Sequence, residues 1–524
     1  MSESRPPRPG ERSPSLLLDR RQLLKGAAAA GLAAALGGCA GGRGDRARAA
    51  RPRDLIRAEN ARPGTTDWLL ANPRVDAGTR YRCPWIEGYC SKTSVRAGET
   101  LAILVSTNPP SPFVLDLYRM GYYGGAGGRH LLRLGPFRGR VQPDPEIGPE
   151  RLRDCRWEPA THLTIPADWP SGVYLGKLSA GAGGVQSYVV FIVRDDRPCD
   201  VLFQSSDTTW AAYNRWPSQW SLYDDGKKVW YWGPGVRVSW NRPYGRYCQI
   251  VRAPLSQGSG EFLLWEFPLA FWLEREGYDV SYTSGVDTHA DPAGLRRARI
   301  WLSVGHDEYW TREMHDNVRA ARDAGVSLAF FSANTCYGMI DLGPDTAGVA
   351  DRAFSRIGQY GPIEPGVAGG QFPEVERFKV HGPDESLLVG ARTNYPLTGS
   401  AHWTCVKPDH WVFAGTGMKH GDFVPGLVGW EWHGHPAPIR GLEVIAAGDL
   451  EVDGVPGRYT ATVYPGPRGN FVFNGATIWW PIGLASPPGF RNPRYRRLQP
   501  HGPDPRIQRI TANVLARAGA HPAP

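Results

Sequence analysis

The chain has 524 residues, 41% of them hydrophobic and 21% charged, with 64 Gly and 20 Trp. Such a length holds two or three domains with ample core, and the composition is that of a soluble globular protein. The net charge is +9, but residues 1–62 hold 13 Lys+Arg against 6 Asp+Glu, so the body carries only +2 and the basic balance gives no ground for nucleic-acid binding.

The first segment, residues 1–39, carries twin arginines, Arg20 and Arg21, followed by the apolar run Gly26–Leu36. That run is too short to span a membrane as a mature helix. Leu36-Gly37-Gly38-Cys39 follows it. The whole resembles a twin-arginine (Tat) signal of a bacterial lipoprotein. The resemblance implies passage through the Tat translocase, lipidation of Cys39 and a place in the cell envelope, as a membrane-anchored lipoprotein or a periplasmic or extracellular protein. An ordinary signal with a chance cysteine is the alternative to lipidation. Residues 40–62, rich in Arg, Ala and Gly, read as a flexible tether.

Residues 63–197 read as a β-sandwich of the immunoglobulin or fibronectin type III kind. The runs Ser94–Arg96, Thr100–Ser106 and Phe113–Arg119 are short and strand-like. Gly172–Leu178 and Gln186–Arg194 predict a closing hairpin, and no helical period intervenes. Trp85, Trp157 and Trp169 are expected in its core.

Residues 198–524 predict an α/β domain. Val201–Ser205 is a first strand, and an aromatic-rich loop runs from 206 to 247. Phe262–Glu276 predicts a helix ended by Gly277, with a strand over Tyr278–Thr283. Arg299–Gly305 is an apolar run of strand length that turns abruptly polar at His306-Asp307-Glu308-Tyr309. Thr311 then caps a helix in which Met314, Val318 and Ala321 recur at helical spacing, and Gly325 ends it. Val326–Ser332 is the next strand and runs into Asn334. Parallel strands of such a unit bring their carboxyl ends to one sheet edge, where ligands of open α/β sheets bind. His306, Glu308 and Asn334 are therefore expected to face one crevice. Residues 342–469 are rich in strand and loop and read as an elaboration of the crevice mouth. Asn470–Asn474 resumes a core strand, and Ile507–Ala518 makes a last helix. The order and spacing predict a three-layer, glutamine amidotransferase-like α/β domain with a mostly parallel sheet.

Besides Cys39 there are seven cysteines, and Cys83 with Cys90 is the pair expected to bridge locally. Three chemistries compete for the crevice. Cys336 offers a nucleophile, but Asn334-Thr335-Cys336-Tyr337-Gly338 lacks the small-residue frame of a nucleophile turn, which favours a buried, inert thiol. His306 with its carboxylate neighbours offers a metal-free hydrolase, or merely a capping cluster. The third reading needs the aromatic loop.

That loop opens with Ser205-Ser206-Asp207-Thr208-Thr209-Trp210-Ala211-Ala212-Tyr213-Asn214-Arg215-Trp216 and ends with Val238-Ser239-Trp240-Asn241-Arg242-Pro243-Tyr244-Gly245. With Gly258-Ser259-Gly260-Glu261-Phe262 and Gly305-His306-Asp307-Glu308-Tyr309-Trp310, these strings resemble the large (β) subunit of N,N-dimethylformamidase and its relatives. The resemblance runs from Ile86-Glu87-Gly88-Tyr89 through Tyr118-Arg119-Met120-Gly121-Tyr122-Tyr123-Gly124-Gly125 to about Leu484. It implies a mononuclear, ferric iron held by two tyrosines and a glutamate. By motif these fall on Tyr213, Tyr244 and Glu308, while the loop also contains Tyr223 and Tyr231. A catalytic histidine and asparagine fall on His306 and Asn334. Such an enzyme hydrolyses the C–N bond of a small amide, and Trp210, Trp216 and Trp240 would either exclude water or simply pack the loop. Dimethylformamidase works with a small partner subunit and carries an added N-terminal domain, so a different amide, a homo-oligomer or a partner subunit is compatible with this chain. The non-enzymatic alternative is a surface-anchored protein that binds a ligand in the same crevice.

Overall fold

Alternating apolar residues build two sheets before residue 197. Thr100–Ser106 pairs antiparallel with Glu87–Cys90 on one side and Pro159–Thr164 on the other. A five-stranded sheet runs in the order Ser94–Arg96, Gln186–Arg194, Gly172–Ala180, Pro112–Met120, Gly128–Arg138. All its pairs are antiparallel except the first. Leu101 and Ile103 of the small sheet share one buried cluster with Leu115, Leu117, Tyr174 and Phe191 of the large one. Trp157 and Trp169 are buried, and Trp85 packs half-buried against the same cluster. This computed structural model describes residues 54–363, 366–367, 372–494 and 498–523. Arg20, Arg21 and Cys39 lie outside the described residues. Cys83 and Cys90, expected as a bridge, are both free, buried thiols.

The second half is organised on a seven-stranded mixed sheet. Its strands and flanking helices are β1 (Cys199–Ser205), α1 (Asp207–Tyr213), α2 (Phe267–Glu276), β2 (Val280–Ser284), β3 (Ala298–His306), α3 (Arg312–Asp323), β4 (Ser327–Ala333), β5 (Glu443–Val452), β6 (Val455–Pro465), β7 (Phe471–Asn474) and α4 (Pro505–Arg517). The strand order is β2-β1-β3-β4-β7-β6-β5. The first five strands are mutually parallel, and the β7-β6-β5 edge is antiparallel. Both faces of the centre are covered. In β3, Ile300, Leu302 and Val304 join one core cluster and Trp301 another, and in β4 Ala329 and Phe331 part from Leu328 and Phe330 in the same way. Burial on two faces is why these strands read as unbroken apolar runs.

Local signals place α3 as expected. The Thr311 hydroxyl accepts from the Met314 amide at 3.1 Å, and Gly325 adopts φ 105° just past the helix. The helix expected over Phe262–Glu276 is instead a π turn, Phe262–Glu266, leading into α2. Pro268 lacks an amide proton and sits in the first turn of α2, so the hydrogen-bond register changes there. The segment 342–469 does more than decorate the crevice. Its last part supplies both β5 and β6, which extend the central sheet through a tight hairpin. Asp453 and Gly454 take φ 52° and 82° at its tip, the positive values a two-residue mirror-image turn requires.

The two halves are locked by a buried ion pair, and residues Pro52–Pro524 form one unit. Arg119, from strand Pro112–Met120, donates through Nη1 and Nη2 to both carboxylate oxygens of Glu274 in α2, each at 2.9 Å. Both side chains are fully buried. Arg119 also donates to Ser171 O and to the Tyr123 hydroxyl, and Tyr282 donates to Glu274. A Cβ at Gly121 would collide with the Glu274 carboxylate. The string Tyr118–Gly125 is thus built around this clamp.

Gly305, the penultimate residue of β3, has φ 67°, and a Cβ there would lie 2.6 Å from the Trp265 Cβ and 3.0 Å from its carbonyl oxygen. Both the handedness and the space exclude a side chain. Gly305→Ala should lower stability by about 1–3 kcal/mol, read as a lower denaturation midpoint. It should also shift the ring resonances of the adjacent His306.

Candidate functional site

The polar cluster forms where β1, β3 and β4 reach their carboxyl ends. In register, His306 at the end of β3 pairs with Ala333 at the end of β4. The backbone turn after β3 is held from within. Asp307 points into the core, where Ser303 donates to its carboxylate at 2.7 Å and Gln204 at 3.0 Å. Burial pushes Asp307 up to about 6. On α1, the Thr209 hydroxyl accepts from the amides of Glu308 and Tyr309 at 3.0 and 3.2 Å. Tyr213 lies four residues further along the same helix, hence on the same face. One helix face therefore anchors the Glu308 backbone and meets its carboxylate.

The oxygens converge tightly. The Tyr213 hydroxyl donates to Glu308 Oε2 at 2.7 Å. The Tyr223 hydroxyl lies 2.6 Å from that of Tyr213 and 3.1 Å from each Glu308 oxygen. Behind them, Tyr309 donates to the Tyr223 oxygen at 2.7 Å, and Arg356 Nη2 donates to the Tyr309 oxygen at 3.1 Å. The Arg356 guanidinium also lies 4.8 Å from the Tyr223 ring centre. All these side chains are buried except Tyr213, which is half-buried. A single row of donors thus runs from a cation toward the carboxylate.

His306 sits against the other side of Glu308. Its Nε2 is 3.3 Å from Glu308 Oε2 and 3.0 Å from Glu431 Oε2, in contact but off the hydrogen-bond direction. Burial disfavours the imidazolium, yet Glu431 and Glu308 outweigh it and raise His306 to about 10. Burial pushes Glu308 up, but the close contact and charge of His306 prevail and hold its carboxyl below the usual range. Burial wins at Glu431, whose carboxyl is raised. Asn334, in the left-handed region at φ 51°, donates to Glu431 Oε2 at 2.9 Å and accepts from the Thr393 hydroxyl at 3.1 Å. Both its polar atoms are engaged, so it orients Glu431.

A cavity of about 270 Å³ opens over this cluster, lined by Tyr213, Tyr223, Glu308, Asn334 and Glu431 on the polar side. Trp230, Trp232 and Trp430 line it too. Trp210, Trp216 and Trp240, expected either to exclude water or to pack the loop, do not line it. The indole of Trp210 donates to Glu266, that of Trp216 to Glu87 and that of Trp240 to Asp207 O, all packing contacts.

The structure brings together Tyr213, Glu308, His306 and Asn334. It does not bring Tyr244 to Glu308. Tyr244 packs on Trp210 with ring centres 6.3 Å apart and lines two other clefts. Tyr223 stands in the place expected for Tyr244, because the loop folds back so that its middle, not its end, crosses the cluster. Tyr231 is also turned away and donates to Pro234 O at 2.7 Å. Glu431 is a member of this cluster that the linear pattern did not single out. Its only signal was a carboxylate set between Trp430 and Trp432. Cys336 is buried, and burial drives its thiol well above the usual range, which disfavours the thiolate a nucleophile needs.

The donor set suits a hard cation. Burial, with Glu308 beside them, drives the Tyr213 and Tyr223 phenols well above their ordinary value, so only a neighbouring positive charge could ionise them. Their oxygens and Glu308 are as close as ligands that share one ion at roughly 2 Å. Among the described residues no group of three or more His, Cys, Asp or Glu side chains could hold a metal. Any ion here would depend on the phenols. The family model described as N,N-dimethylformamidase beta subunit-like, C-terminal, matches residues 114–495, which include every residue of this cluster. No curated protein matches the chain.

Proposed function

We propose, on the premise that the chain belongs to the N,N-dimethylformamidase beta subunit-like family, that it is an iron-dependent amidohydrolase with Tyr213, Tyr223 and Glu308 as the metal ligands. The observation that carries this reading is the convergence of two phenol oxygens on one carboxylate, at 2.7 and 3.1 Å, beneath a cavity. When bound, a ferric ion supplies Lewis acidity toward an amide carbonyl and toward water. The residues supply the rest. Tyr309, backed by Arg356, donates to the Tyr223 oxygen and favours its anionic form. Glu431, held by Asn334, is placed to take a proton from the attacking water. His306 holds a proton between the two carboxylates and is placed to pass it to the departing nitrogen. Water adds its oxygen to the acyl carbon, the C–N bond breaks, and the products are a carboxylic acid and an amine. Trp230, Trp232 and Trp430 limit the water around the site.

Iron measured by elemental analysis tests the ligand set. Tyr223→Phe should cut the iron bound per chain at least tenfold, while Tyr244→Phe should leave it near one. The reverse result would return the second ligand to Tyr244, and metal-free folded wild type would favour the ligand-binding alternative.

The finer fold reading belongs with this proposal. Antiparallel sheets sharing one core support an immunoglobulin- or fibronectin type III-like sandwich, and five adjoining parallel strands support a glutamine amidotransferase-like α/β layer. We also place the protein in the cell envelope. Replacing Arg20 and Arg21 with Lys should leave precursor in the cytoplasm, and Cys39→Ser should release protein from the membrane fraction. Unchanged fractionation would refute each claim.

A further inference from the structure

We infer that the substrate is an amide bearing one aromatic ring, not an amide of only a few carbons; the inference rests on the amidohydrolase reading of the same cavity. The argument is one of volume and lining. A cavity of about 150 Å³ lined by apolar side chains suits a benzene molecule. The cavity here is about 270 Å³. Placing a carbonyl against Glu308, Glu431 and their tyrosines uses its polar side only. The volume exceeds that of the benzene cavity by about 120 Å³, room for an amide group beside one ring, and the wall includes Trp230, Trp232, Tyr337, Phe372, Leu397 and Trp430.

That wall is built before any ligand arrives. Trp232 packs on Tyr337 and on Phe378, each with ring centres 5.3 Å apart, and the Arg356 guanidinium lies 4.8 Å from its centre. Trp430 is fixed between Trp265 at 5.9 Å and the His306 ring at 5.0 Å. Trp232, Tyr337 and Trp430 are each 3% exposed or less. Such a wall cannot collapse onto a dimethylamide, so a small substrate would leave much of it uncovered. A flat ring can cover it and meet the aromatic side chains in offset or edge-on contact.

The reaction consumes one water. The acyl carbon–nitrogen bond breaks, a carbon–oxygen bond forms, and the nitrogen takes one proton, so formanilide yields formate and aniline and benzamide yields benzoate and ammonia. Purified, iron-loaded protein should be assayed with formanilide, benzamide and dimethylformamide by product release. It should also be titrated with each by tryptophan fluorescence. We expect kcat/KM for at least one ring-bearing amide to exceed that for dimethylformamide about tenfold or more, from burial of the ring. Leu397→Trp, which fills the apolar end, should reduce turnover and binding of that amide more than those of dimethylformamide. Dimethylformamide turned over as well as or better than both ring-bearing amides would overturn the inference. If no amide is hydrolysed, the amidohydrolase reading fails by itself. The fluorescence titration then decides the ring: tighter binding of a ring-bearing amide than of dimethylformamide sustains it, and equal binding refutes it.

Discussion

Glu308→Gln should empty the site of iron and lower amide hydrolysis by about 10³-fold or more, while the protein stays folded. The magnitude follows from what the carboxylate touches. Glu308 is the acceptor on which the Tyr213 and Tyr223 hydroxyls converge and the partner of His306 at 3.3 Å. The amide has the same shape but carries no charge, so the ion would lose one of its three anionic donors in a buried site. A metal's Lewis acidity is worth several kcal/mol of transition-state stabilisation, and several kcal/mol is about 10³ in rate. The fold should survive because the turn after β3 is held by Thr209 and Asp307, which the substitution leaves alone. His306→Ala makes the contrast. It should keep iron and slow hydrolysis, because in the proposed reaction the ring carries a proton and does not hold the metal. Iron measured per chain alongside turnover separates the two variants, and full iron in Glu308→Gln would sink the metal assignment.

Glu274→Ala should cause the largest loss of stability, about 3–5 kcal/mol. Arg119 has no water to turn to, since both side chains of the pair are fully buried. Deleting the carboxylate strands a guanidinium in the core, together with the Tyr282 hydroxyl that donated to it at 2.8 Å. An exposed pair gives the scale. Arg458 and Asp449 are 57% and 79% exposed, and Asp449→Ala should cost under about 1 kcal/mol, because water and salt already screen the pair. Replacing Arg119 and Glu274 together with Met should recover most of the loss, since no charge is then left unpaired. Denaturant midpoints of the single and double variants check this. A Glu274→Ala midpoint equal to that of Asp449→Ala would show that the clamp does not hold the two halves together.

Much of the frame was legible in the chain because its causes are local. The run Ile300–Val304 is apolar on both faces, so it had to be a covered strand. Thr311 three residues before Met314, and Gly325 after Ala321, mark the ends of α3 by cap chemistry alone. The abrupt change at His306-Asp307-Glu308 placed the polar cluster at a strand end, and the strand–helix–strand order brought Asn334 to the same edge. Tertiary structure alone decided which tyrosine crosses the cluster. A loop of some forty residues has no period, and Tyr223, Tyr231 and Tyr244 are equivalent phenols until packing orients them. Arg356, more than a hundred residues after Tyr223, lies against its ring and backs it through Tyr309, and nothing in the linear pattern links the two. Glu431 was hidden for the same reason. It reaches His306 only because β5 and β6 join the central sheet and bring residues 423–433 over its edge, and pairing at that sequence distance leaves no local trace. The clamp between Arg119 and Glu274 is the converse case. The string Tyr118–Gly125 was conspicuous in the sequence, but only burial showed that its work is to pair a charge between a strand of the first half and α2.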